Sequence, residues 1–146
     1  MKFKLEAKEK IVVVSGAFDP LHVGHIKLLK EARTYGDKLI VILNNDKWVK
    51  SQRSYIFMPE MERKEILEAI KYVDDVIISY HDDDAEDLTV CSELMVIKPD
   101  VFAKGGDSWH SKNIPERSTC KDLGIKIVFG VGYKHSRKQP KVKKWK

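Results

Sequence analysis

A chain of 146 residues, 42% hydrophobic and 34% charged, has the length and balance of one globular domain with a buried core. No apolar run nears the roughly 20 residues needed to cross a bilayer. The opening MKFKLEAKEK lacks the apolar stretch of a secretory leader, so a cytoplasmic protein with no membrane partner is expected. The net charge of +5 belongs to the C-terminus: Lys134, Arg137, Lys138, Lys141, Lys143, Lys144 and Lys146 follow one another with no acid between them. Without those seven, the 27 basic residues fall to 20, against 22 acidic ones, and the body is slightly acidic. Such a body argues against a fold built around nucleic acid, although the tail itself keeps that option. Cys91 and Cys120 are isolated, which indicates neither a disulfide framework nor a zinc site and leaves two buried, reduced thiols as the expectation.

In chain order, KIVVVSG (10–16) reads as a buried strand ending at a glycine, and HIKLLKEARTYG (25–36) as a helix with Ile26, Leu28, Leu29 and Ala32 on its apolar side. DKLIVILNN (37–45) is a second strand, followed by a polar loop, NNDKWVKSQRS (44–54). PEMERKEILEAIKYV (59–73) opens with a proline at a helix start and carries Ile66, Leu67, Ile70 and Val73 at helical spacing. DDVIIS (74–79) is a third strand. DDDAEDLTVCSELMVIK (82–98) reads as a helix whose acidic first turn suits the helix dipole. PDVFAKGG (99–106) is a fourth strand, IPERSTCKDLG (114–124) a short helix and IKIVFGVG (125–132) a fifth strand.

Strands that are apolar nearly throughout, alternating with helices, imply a parallel sheet covered on both faces. With right-handed crossovers this becomes an α/β, Rossmann-like, doubly wound five-stranded parallel sheet in a single domain, residues 1–132, with a basic tail over 133–146. Ligands of such sheets lie outside the carboxyl ends of the strands. SGAFDPLHVGH, NNDKWVKSQRS and AKGGDSWHSKN all leave such ends, so they are expected to converge on one rim.

The first of these carries the clearest chemistry. Gly16 and Gly24 permit close backbone approach and Pro20 fixes a turn. The helix that starts near Gly24 offers free N–H groups and a positive dipole end to an anion, and His22 and His25 add donors there. The set suits a phosphate chain whose charge grows during reaction. No G-x-G-x-x-G fingerprint is present, so a dinucleotide redox cofactor is not indicated. H-x-x-H spacing is also compatible with two metal ligands, but no third ligand follows at helical spacing, and no metal is assigned.

GAFDPLHVGH resembles the G-x-F-D-x-x-H-x-G-H signature of the cytidylyltransferase-like nucleotidyltransferases, and its H-x-G-H is similar to the HIGH sequence of class I aminoacyl-tRNA synthetases. The likeness runs from about Ile11 to Gly130, through GDKLIVILNND, ERKEILEAIKYVDDVI and KPDVFAKGGD. The resemblance implies transfer of CMP or AMP from CTP or ATP to a small phosphorylated alcohol or sugar, with release of pyrophosphate and with Mg²⁺ carried on the triphosphate. It also implies a homo-oligomer. His22 and His25 are then expected to contact the triphosphate, joined by Lys50 as a catalytic cation. By the same resemblance Gly16, Ala17, Phe18, Asp19 and Gly24 are expected to border the nucleotide, Arg63 to lie near its phosphates, and Gly105, Gly106 and Asp107 to pass close to base and ribose. Each has a plainer alternative: Asp19 as a brace of its turn, Arg63 as an exposed helix residue paired with Glu60, Lys50 as a solvated lysine and Trp48 as a packed aromatic. KGGD is closer to the sugar-phosphate adenylyltransferases than to the glycerol-phosphate cytidylyltransferases.

The chain departs from the family after its last strand. Where relatives carry R-T-x-G-I-S-T-T, this chain reads GVGYKHSRKQPKVKKWK, with Ser136 as the hydroxyl of that kind and Pro140 interrupting any helix. Lys134, Ser136 and Arg137 are expected to take over part of the phosphate grip. Weakened catalysis is the alternative, leaving a nucleotide-binding sensor or scaffold. The tail is otherwise open to three readings: a solvated terminus, a cover for the triphosphate, or an attachment to nucleic acid or an anionic surface.

Overall fold

The computed structural model describes residues 8–83, 85–105 and 114–132. The described elements are β1 (Ile11–Gly16), α1 (Val23–Arg33), β2 (Lys38–Leu43), α2 (Asp46–Arg53), α3 (Glu60–Glu68), β3 (Asp75–Ile78), α4 (Cys91–Ile97), β4 (Val101–Gly105), α5 (Arg117–Leu123) and β5 (Lys126–Val131). All four strand pairings are parallel, in the order β3-β2-β1-β4-β5.

Continuous apolar strands are explained by what covers them. Along β1, Val12 and Val14 point to one face and Val13 to the other; along β2, Leu39, Val41 and Leu43 alternate with Ile40 and Ile42. The first set meets Leu29 and Ala32 of α1 and Leu67 of α3, while the second meets Leu94 of α4 and Cys120 of α5. Two apolar layers therefore flank one sheet, as doubly wound topology requires. The strand order reverses between β1 and β4, and the crevice at their carboxyl ends is the position where such sheets bind ligands. Among the described residues no helix is long and apolar enough to cross a membrane.

Three local expectations are corrected. The stretch after β2 is not a loop but α2, capped by Asn45, whose side chain accepts from the Trp48 amide. Only Val49 of this helix is buried, so it shows no apolar stripe to read. The acidic run after β3 is not the first turn of α4, which begins at Cys91. Asp87 instead accepts from both the amide and the hydroxyl of Thr89, at 2.9 and 2.5 Å, a turn that competes with helix. Those two bonds hold the Asp87 carboxyl below its usual range. On α3, Ile66 is exposed and Arg63 takes the inner face in its place.

Candidate active site

The turn between β1 and α1 builds the site. His22 is the N-cap of α1, with extended backbone (φ −150°), and its Nδ1 accepts from the Gly24 amide at 3.1 Å. His25, three residues on, returns the favour: its Nδ1 accepts from the His22 amide at 3.2 Å. The pair forms a capping box in which imidazoles stand where serine and glutamate are usual. A ring nitrogen that accepts carries no proton, so each neutral ring bears its proton on Nε2. Both side chains are thereby fixed as Nε2–H donors beside the open N-terminus of α1. The rings stack at 3.9 Å between centroids, and the Phe18 ring meets His25 edge-on at 4.8 Å.

Burial, followed by the neighbouring His22, lowers the His25 pKa to about 4. His25 is therefore a neutral donor at physiological pH, not a cation. The unfolded chain takes up this proton near pH 6.5, the folded chain only near 4. The stabilisation is thus complete above about pH 6.5 and is lost as pH falls toward 4. Thermal unfolding followed between pH 7 and pH 4.5 should show a steeper loss of Tm for the natural protein than for His25→Gln; equal slopes would refute the assignment.

Gly24 packs directly against the cap. A Cβ there would lie 2.9 Å from His22 Cε1 and 3.1 Å from its Nδ1, so glycine makes room for the cap's own imidazole. Gly105 likewise ends β4 against Leu28, where a Cβ would come within 2.9 Å of Cδ1, and so lets β4 pass close beside α1. Gly16 ends β1, and Ala17 leads into Phe18, which is buried at positive φ (50°).

Asp19 is a brace. Its buried carboxylate accepts from the amides of Phe57 (2.8 Å) and Met58 (2.6 Å) and meets Arg53 at 3.4 Å, while Arg53 also donates to the Asp19 carbonyl at 2.8 Å. Arg63 is fully buried, and the exposed-residue alternative does not hold. It donates through Nε to Met58 O, through one terminal nitrogen to Ala17 O and Asn44 O, each at 2.7 Å, and through the other to Asp46 at 2.6 Å. The Asp46 amide is held in turn by Glu60 at 2.7 Å. One side chain thus ties together the exits of β1 and β2 and the start of α3.

Lys50 is exposed on α2 and, with Asp46, Lys47, Ser51, Ile56 and Asp83, lines an open cavity of about 380 Å³ at the carboxyl end of β2. Trp48 does not line it; its indole N–H donates to Leu88 O at 2.9 Å. Tyr55 and Phe57 stand exposed in the segment that Asp19 fastens. Gly106, Asp107, Lys134, Ser136 and Arg137 lie outside the described residues. Composition and periodicity gave no signal for Ser79 and His81, which are buried after β3 and bonded to each other at 2.8 Å.

Of the thiols, Cys120 is buried, which pushes its pKa up to about 11, while Cys91 is half-buried and accepts from the Thr119 hydroxyl at 3.2 Å.

The sequence profile of the cytidylyltransferase-like family matches residues 13–128. The FAD synthase of Pyrococcus abyssi is 39% identical over 137 residues, covering 91% of this chain and 87% of that one. The bifunctional protein HldE of Koribacter versatilis is 43% identical over 101 residues, 68% of this chain but 20% of the relative. Among solved structures, the lipopolysaccharide core biosynthesis protein of Thermoplasma volcanium superposes with a TM-score of 0.66 at 26% identity, over 84% of this chain and 95% of that one. With the H-x-G-H turn at the reversal point of a parallel sheet, and with these matches along most of its length, the chain belongs to the cytidylyltransferase-like family and is a nucleotidyltransferase.

Proposed function

We propose that the enzyme transfers AMP from ATP to the phosphate of FMN, forming FAD and pyrophosphate. The reading is carried by one observation: two Nε2–H donors, held by the capping box at the N-terminus of α1, stand at the rim that also bears the Lys47–Lys50 cavity. An acceptor phosphate oxygen attacks the α-phosphorus, the bond from that phosphorus to the bridging oxygen of pyrophosphate breaks, and pyrophosphate leaves. The acceptor is already an anion at neutral pH, so no strong base is needed. The enzyme aligns two anions and stabilises the charge that develops. His22, His25 and the α1 amides supply N–H donors to the phosphates, and Lys47 and Lys50 supply positive charge on the acceptor side.

Among the described residues, no three His, Cys, Asp or Glu side chains are grouped to hold a metal ion. Mg²⁺ would arrive on the triphosphate and supply charge neutralisation there. Adenine is favoured over cytosine because the FAD synthase relatives extend along most of both chains. The exposed Tyr55 and Phe57 beside Ile56 offer apolar surface to a flat ring. The match to HldE and the KGGD segment support a second reading, a sugar phosphate as acceptor. A matrix of ATP, CTP, GTP and UTP against FMN, heptose 1-phosphate and glycerol 3-phosphate, read by pyrophosphate release, separates them. The expected result is turnover with ATP and FMN; turnover only with a sugar phosphate, or only with CTP, overturns the first reading.

A further inference from the structure

The segment that follows β3 is fastened to α2 by a chain of buried polar groups that the phosphate site itself does not use. His81 Nε2 lies 2.8 Å from the Thr89 carbonyl, which can only accept, so this nitrogen carries a proton and in the neutral ring Nδ1 is the acceptor. Nδ1 lies 2.8 Å from the Ser79 hydroxyl, which therefore donates to it. The Ser79 oxygen in turn accepts from the Asn45 amide at 2.9 Å. Asn45 closes the chain, since its Nδ2 donates to the carbonyls of Ser79 (3.2 Å) and His81 (2.8 Å) while its Oδ1 caps α2. Every bond has one direction, and both ring nitrogens of His81 are taken.

The base of this latch is itself fixed. The Ser79 amide donates to Leu43 O at 2.8 Å, and the Tyr80 amide donates to the buried Glu93 at 2.7 Å. Further along, the Trp48 indole reaches across to Leu88 O. At its far end α2 is held by Arg53 on Asp19, so the helix runs from the His81 latch to the H-x-G-H turn. Between these two anchors it carries Lys47, Lys50 and Ser51 into the cavity, with Asp83, two residues beyond His81, on the facing wall.

We propose that His81 is a positioning residue of the acceptor side: through Ser79 and Asn45 it fixes the N-terminus of α2, and with it Lys47 and Lys50. Its ring nitrogens are both engaged and it is 7% exposed, so it acts by geometry and not by proton transfer. The claim that the cavity takes the acceptor rests on the functional reading above, whereas the latch itself does not.

The test compares the natural protein with His81→Leu, His81→Asn and His81→Gln. Asparagine places an amide near Nδ1 and glutamine one near Nε2, so each keeps a different half of the latch and guards against simple failure to fold. Hydrogen exchange of the α2 amides (46–53) is expected to speed up at least tenfold in His81→Leu and less in His81→Asn, which retains the Ser79 partner. The KM for FMN should rise about tenfold while the Kd for ATP stays within twofold. Unchanged exchange in α2, or faster exchange with an unchanged acceptor KM, overturns the proposal, as does an equal loss of ATP and FMN binding. If the natural protein does not convert FMN, the functional reading has failed. The exchange data and the KM of whichever acceptor the substrate matrix identifies then decide the role of His81 separately.

Discussion

Replacing either His22 or His25 by alanine is expected to lower kcat/KM for nucleotidyl transfer by two to three orders of magnitude. The estimate follows from about 3–4 kcal/mol of transition-state stabilisation per fixed donor at a developing oxyanion. The double variant should fall only slightly below the single ones, because the two rings order each other and their effects are not additive. On the proposed reading each ring has two roles: Nδ1 caps α1, and Nε2–H would donate to the substrate phosphates. Losing the cap costs about 1 kcal/mol of stability by itself. His22→Asn separates the roles: asparagine caps well, so Tm should stay near that of the natural protein while activity still collapses. Steady-state kinetics with thermal unfolding on the same preparations check this. An active His22→Asn would show that capping is all that the residue contributes.

Arg63→Met is expected to lower the unfolding free energy by about 3–5 kcal/mol, from about 1–3 kcal/mol for each buried acceptor left without a partner. For a domain of this size that corresponds to a Tm roughly 10 °C lower. The methionine has similar bulk but leaves the carbonyls of Ala17, Asn44 and Met58 and the carboxylate of Asp46 without their donor. Because Ala17 and Asn44 sit at the exits of β1 and β2, activity should fall at temperatures where the variant is still folded. Arg63→Lys does not restore it, since one ammonium cannot reach four acceptors in a plane. Circular dichroism melting and kinetics at low temperature provide the check, and a change of less than 1 kcal/mol would refute the bracing role.

Sequence periodicity made the sheet legible because its central strands β1, β2 and β4 are buried on both faces and read as apolar runs bounded by glycine or polar residues. The H-x-G-H turn was legible for a different reason, a fixed spacing of unusual residue types. Where the reading failed, polar groups had replaced apolar ones as the organising contacts. α2 has one buried residue and is held by Asn45, Asp46 and Arg53, none of which contributes to a hydrophobic stripe. Asp82 to Asp87 look like a helix start until the Asp87–Thr89 turn is formed. The plainer alternative for Arg63, an exposed helix residue, fails because the guanidinium is buried among four partners, three of them 17 to 46 residues away in sequence. His81, Ser79 and Asn45 are brought together only by the pairing of β2 with β3. At Gly24 spacing alone does not reveal the closest contact, the imidazole two residues before it.

The central claim is that the α-phosphorus of the nucleotide is the centre attacked. Incubation with FMN, Mg²⁺ and ATP labelled either at the α- or at the γ-phosphorus tests it directly. The account predicts that α-label appears in the flavin product while γ-label leaves as pyrophosphate, in equal amounts, and that the rates of both fall together by two to three orders of magnitude in His25→Ala. Label from the γ-position in the flavin, or release of inorganic phosphate without transfer, would contradict it.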